Sequence, residues 1–240
     1  MTPRLKRTLF LVPILAAGAG ATAALAQQLG GTYDIAQMPA LHGKVAQYDL
    51  TPRGDVDGLI LQDGTEVHFP PHLGTQMVAA VRPGEAVTIH GLKARVLPLV
   101  QAMSVTGDAS GKTVVDNGPP GPGHRPPPPH GPHPGPGGRP HGWGQAMQAQ
   151  GTIKMQLHGP RGELNGALLA DGTMVHFPPP EASRLAASLQ PGKVIAVRGH
   201  GVDNTLGHSI AADAVGPSLD NLAPFGRELA DGGHVPGPPR

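Results

Sequence analysis

Histidines carry most of the chemistry open to this sequence of 240 residues. His68 and His176 each lie in a Val-His-Phe-Pro-Pro block, and imidazoles that titrate near physiological pH could serve there as proton-sensitive ligand contacts. His124, His130, His133 and His141 fall in or beside a Pro/Gly-rich stretch. Spacings of six and three put the first three on one face of an ideal polyproline helix, and His-rich tracts can collect Zn, Cu or Ni. With a rise of about 3.1 Å per residue, same-face neighbours stand roughly 9 Å apart. Metal capture would therefore require the chain to fold back, and solvated linker histidines are the competing reading.

Four further residues recur in pairs. Arg53 and Arg161, each between Pro and Gly, could grip an anionic group from a loop, or simply keep a tight turn soluble. Asp63 and Asp171 each precede Gly-Thr and could contact a ligand, although a turn alone asks for Asp at that place. A phosphate loop of the Walker type, a nucleophile elbow and a His-Glu-x-x-His motif are all missing, and the absence of Cys removes thiolate chemistry, disulfides and Cys-ligated metal centres. The expectation is a binding protein and not an enzyme.

The elements that must position these residues come in two copies. An offset of 108 aligns Gly43–Gly91 with Gly151–Gly199 without a gap, with 18 identities in 49 positions, which marks tandem domains. In each copy, Asp-Gly between β-rich runs predicts a tight hairpin with primed turn geometry: Val56–Gln62 with Glu66–Phe69, then Leu164–Ala170 with Met174–Phe177. Pro70-Pro71 and Pro178-Pro179 end the second strand of each pair, because proline cannot donate to a ladder.

Helical spacing follows in Leu73, Met77, Val78 and Val81, and in Leu185, Ala186 and Leu189. Strands resume after Pro83-Gly84 and Pro191-Gly192, at Ala86–His90 and Val194–Arg198. With first strands at Lys44–Leu50 and Thr152–Leu157 and last ones at Val100–Val105 and Ser209–Val215, the order is β-β-β-α-β-β. That is the order of the OB-fold, a five-stranded Greek-key barrel. The fold class expected is all-β: two tandem OB-like barrels with a small helix in each, joined by a disordered Pro/Gly/His-rich linker.

The domains expected are a signal peptide at 1–26, a disordered segment at 27–40, barrels at 41–107 and 150–216, a linker at 108–149 and a disordered tail at 217–240. Arg4, Lys6 and Arg7 precede the apolar run Leu9–Ala17, and Ala24-Leu25-Ala26 offers a cleavage site, so export to the periplasm or beyond is expected. Between Gly118 and Pro140, 11 Pro and 7 Gly fill 18 of 23 positions, a composition for a hydrated spacer that makes a rigid contact between the barrels unnecessary.

The leader, the strand order and the landmarks Gly43-Lys44-Val45, Asp63-Gly64-Thr65 and Pro83-Gly84 resemble those of bacterial periplasmic OB-fold proteins of the stress-associated, small-ligand-binding type. The resemblance covers Gly43 to about Gly107 and Gly151 to about Gly216, and implies a non-enzymatic partner for a small ligand, a glycan or an envelope protein. Without the leader, 15 Lys and Arg face 17 Asp and Glu, and no basic run remains, so nucleic acid is a poor candidate partner. A monomer with no membrane span is expected once the leader is removed. Alternating strands put His68 and His176 opposite the inward Val and Phe, on the outer face of the third strand, where OB-folds take ligands. Each patch would comprise His68, Arg53 and Asp63, or His176, Arg161 and Asp171.

Overall fold

The computed structural model describes residues 34–118 and 144–225. Residues 1–33 with the expected signal segment, the greater part of the Pro/Gly-rich stretch with His124, His130, His133 and His141, and the last fifteen residues lie outside them.

The first copy runs β1 (Ala40–Leu50), β2 (Val56–Leu61), β3 (Glu66–His68), α1 (Gly74–Ala80), β4 (Ala86–Lys93) and β5 (Leu99–Gly107). The second repeats it as β7 (Gln145–His158), β8 (Leu164–Leu169), β9 (Met174–His176), α2 (Pro179–Arg184), β10 (Val194–Asn204) and β11 (Gly207–Ser218). Parallel pairing of β3 with β5 closes the first sheet, and β9 with β11 closes the second. The result is two closed five-stranded barrels in OB-fold order. Two short strands are added outside the five: β6 (Thr113–Val115) on β5, and β12 (Asn221–Pro224) on β11. Both lie in segments expected to be linker and tail, because three or four residues are too few to show a period.

Turn chemistry explains the shared landmarks. In both copies the Gly of Pro-Arg-Gly, Asp-Gly-Thr and Pro-Gly has positive φ: Gly54, Gly64 and Gly84, then Gly162, Gly172 and Gly192. Among the described residues only glycines do so, hence Asp63 and Asp171 are not in the left-handed region and the expected primed turn does not form. Gly64 N–H instead donates to Leu61 O at 3.0 Å and Leu61 N–H to Thr65 O at 2.9 Å, a three-residue loop with glycine at the bulge. Asp63 and Asp171 cap these loops by accepting the N–H of Thr65 and Thr173, each at 2.9 Å.

Each barrel fills with the inward side chains of its strands. Val67, Phe69, Leu59 and Leu61 do so in the first, with Met77 of α1 as the lid; Val175, Phe177, Ala167 and Leu169 do so in the second, with Ala182 of α2. Glu181 sits in the first turn of α2, as the dipole favours, and pairs with Arg184 at 3.3 Å. Tyr48, at the barrel wall, donates its hydroxyl to Val81 O at 2.7 Å.

The barrels are not independent, contrary to what the spacer composition suggests. Leu157, Leu168 and Met174 of the second join Leu50 and Ile60 in the core cluster of the first. If a protease site is placed between residues 119 and 143 and cut, the two fragments should co-elute as one species in size exclusion. Separation at micromolar concentration would contradict a packed interface.

Candidate functional site

Strand alternation directs His68 and His176 away from the barrel interiors, as expected, but the other barrel covers them. His68 is 5% exposed, and His176, partly buried, donates Nε2–H to Leu50 O at 2.8 Å, an oxygen that also accepts Ser209 Oγ–H at 2.9 Å. Neither is the solvent-facing ligand contact that its strand position suggested. Burial lowers the pKa of the His176 ring to about 4, opposed by the Leu50 hydrogen bond. Burial also lowers that of His68, opposed by the Glu66 carboxylate and the His158 backbone.

The contact between barrels is reciprocal. His158 donates its backbone N–H to Glu66 Oε2 at 2.7 Å and its Nδ1 lies 2.7 Å from Glu66 Oε1, with Glu66 completely buried. At the matching place on the other side, Leu50 N–H points at Met174 Sδ at 3.3 Å. Under the 108-residue offset Leu50 corresponds to His158 and Glu66 to Met174, so position i of one copy meets position j of the other in both directions, as in a two-fold dimer. The two faces differ in chemistry. Gln47, Asp49 and Glu66 of the first barrel correspond to Met155, Leu157 and Met174 of the second.

On the first barrel's face Asp49 is buried. It leans over Gly58, whose missing side chain leaves the space, and its Oδ1 has no hydrogen-bond partner. Burial first, then the Asp57 and Glu66 carboxylates, raise its pKa well above the ordinary carboxyl range. A carboxyl with a raised folded pKa contributes fully below the unfolded value and loses stability as pH rises through the folded one. Asp49→Asn should therefore lose less stability than the wild type as the pH rises from 5 to 8. Urea titrations at both pH values measure this, and parallel losses in the two proteins would contradict it.

Arg53 and Arg161 remain exposed, in the β1–β2 and β7–β8 loops. Each loop abuts the other barrel: an added Cβ at Gly54 would stand 3.4 Å from Val202 and Asn204, and one at Gly162 would stand 3.2 Å from Leu97. Arg161 thus reaches a groove of about 440 Å³ whose other wall is the β4–β5 hairpin, with Leu92, Lys93, Val96, Leu97 and Leu99. Leu92 is 63% and Val96 90% exposed. In an OB barrel the loops after the first and fourth strands frame ligands; here one of each, taken from different barrels, meet. The expected trios are not assembled as patches, since each His is covered, each Asp caps a turn, and Arg161 alone lines this groove. The hairpin residues escaped the sequence reading. A run of Leu92, Val96 and Leu97 interleaved with Lys93 and Arg95 was the available signal.

A second hollow, of about 530 Å³, is lined by Arg198, His200, Asp213 and Phe225, with His200 Nδ1 3.6 Å from Asp213 Oδ2. Phe225 meets Phe177 edge-on at 5.9 Å between ring centres. Among the described residues no group of three His, Asp or Glu side chains is placed to hold a metal ion, and no helix is long and apolar enough to cross a membrane.

The fold defines the chain as a tandem OB-like protein whose barrels pack through a reciprocal face. Comparison with protein-family models, with curated proteins and with solved structures finds no match.

Proposed function

We propose that the chain is an exported, non-enzymatic binding protein whose two OB-like barrels are locked together to frame a small-ligand groove. The observation that carries this reading is the composite groove itself. The Arg161 loop of one barrel and the Leu92–Leu99 hairpin of the other form a concavity of about 440 Å³, within the size range of small-molecule sites. Exposed apolar side chains bordered by cations are the expected lining of a site that takes an apolar body and an anionic group. Export is supported by the basic, apolar and small-residue pattern of residues 1–26.

A thermal-shift screen against small carboxylates, oligosaccharides, nucleotides and divalent metals tests the reading. A ligand at about 100 times its Kd should stabilise the fold by about 2.7 kcal/mol. Arg161→Ala, exposed and outside both cores, should weaken the response to a groove ligand without lowering the unliganded melting point. A response to Zn, Cu or Ni alone, abolished by replacing His124, His130, His133 and His141, would favour metal buffering by the linker and overturn the groove reading.

A further inference from the structure

We propose that the groove takes a single-chain anionic amphiphile, its head on Lys93 and Arg161 and its apolar chain along Leu92, Val96 and Leu97. This rests on the groove being the ligand site and adds the class of ligand.

Four large hydrophobic side chains are exposed among the described residues, Leu92, Val96, Val194 and Leu219, and two of them line this one groove. Leaving Val96 90% exposed keeps an apolar surface in water with nothing in the fold to offset it, which marks a contact surface more than a structural one. Charge then selects among apolar ligands. Lys93 and Arg161 line the groove and Arg95 lies in the same hairpin loop. The nearby carboxylate is Glu163, 3.6 Å from Arg161 NH2 and held in its own loop by the Arg161 N–H at 3.1 Å. The balance is cationic, and the Arg161 side chain is 90% exposed, free to turn toward an arriving head group. A guanidinium supplies paired donors for a carboxylate, and Lys93 adds a point charge beside it.

Concavity separates a free amphiphile from a membrane surface. A membrane would be met by a convex tip. Here Pro160, Arg161 and Gly162 of the second barrel wall in the hairpin of the first, which gives a single chain two sides to lie between. The reciprocal place across the two-fold, Gly54 against Val202 and Asn204, keeps Arg53 as the counterpart of Arg161, but its hairpin has Gly201 and Asp203 where Lys93 and Arg95 stand, with Asp203 paired with His208 at 2.8 Å, so the cationic pair is missing there. One ligand per chain is expected.

Isothermal titration of the purified chain with decanoate, below its micelle concentration, provides the test, with decyltrimethylammonium as the same chain carrying the opposite head. The expected result is 1:1 decanoate binding, with the ammonium at least about tenfold weaker. Arg161→Glu and Val96→Asp should each cost about tenfold or more for decanoate and leave the unliganded melting temperature in place. Failure of decanoate to bind, equal affinity for the ammonium, or indifference to both substitutions overturns the proposal. So does sedimentation with phosphatidylglycerol vesicles without decanoate binding, which would assign the hairpin to a membrane. If another ligand from the screen binds in a manner sensitive to Arg161 and Val96, the amphiphile falls and the groove stands. If every ligand found is insensitive to both, the groove reading itself fails.

Discussion

Replacing His158 by alanine should lower the stability of the chain by about 2–3 kcal/mol, because the substitution removes the ring's hydrogen bond to the buried Glu66 carboxylate. Glu66 has no exposed surface, and His158 Nδ1 is 2.7 Å from one of its oxygens. His68 Nε2, 4.0 Å from the other oxygen, is too distant to replace it. The repeat supplies the control. Where the first copy has Glu66 and the second His158, the reciprocal contact is made by Met174 and Leu50. The double variant Glu66→Met, His158→Leu should therefore rebuild that apolar contact and recover most or all of the loss, because replacing both partners of a buried polar contact by matched apolar groups leaves neither unsatisfied. Equilibrium urea unfolding of the wild type, the single variant and the double variant decides this. A single variant within about 1 kcal/mol of the wild type would mean that the barrels do not pack as described.

Acid should destabilise the same interface through His176. Its ring titrates near pH 4 in the folded chain, against 6.5 when unperturbed, because burial disfavours the cation. Between these values the unfolded chain binds the proton and the folded chain does not, so stability is complete above about pH 6.5 and falls as the pH drops toward 4. The loss assigned to this residue is on the order of 3 kcal/mol. Asp57, raised to about 6 chiefly by burial, works in the opposite direction over the same interval, so the wild-type curve alone is not diagnostic. His176→Gln is: its amide can still donate toward Leu50 O but does not titrate. The wild type should lose on the order of 3 kcal/mol relative to this variant between pH 7 and pH 4. Parallel curves would place the ring in water.

Both results bear on function through one dependency. The groove has walls from two barrels, so Arg161 faces Leu92 and Val96 only while the reciprocal face holds. Weakening that face by acid or by His158→Ala should also weaken groove ligands, without any change in the groove's own residues.

Much of the fold was legible in the sequence because its signals are local. Gly54, Gly64 and Gly84 and their counterparts mark turns that need positive φ, and proline pairs end strands whichever residues lie opposite. The recurrence of these marks at a single offset exposes the duplication, and alternation along β3 and β9 correctly turns His68 and His176 out of their barrels. What lies against an outward face is a different matter. Alternation reports direction, and only docking decides whether that direction ends in water or in another surface. His68 reads as solvent-facing, yet it is buried together with Asp49 and Glu66, and Met155, Leu157, Leu168 and Met174 of the other copy join the first barrel's core cluster, since burying those apolar groups outweighs the cost of enclosing the polar ones. The groove belongs to the same category. Arg161 and Val96 are 65 positions apart in the chain and on different barrels, so no local pattern could join them, and the packing of the two barrels brings them together.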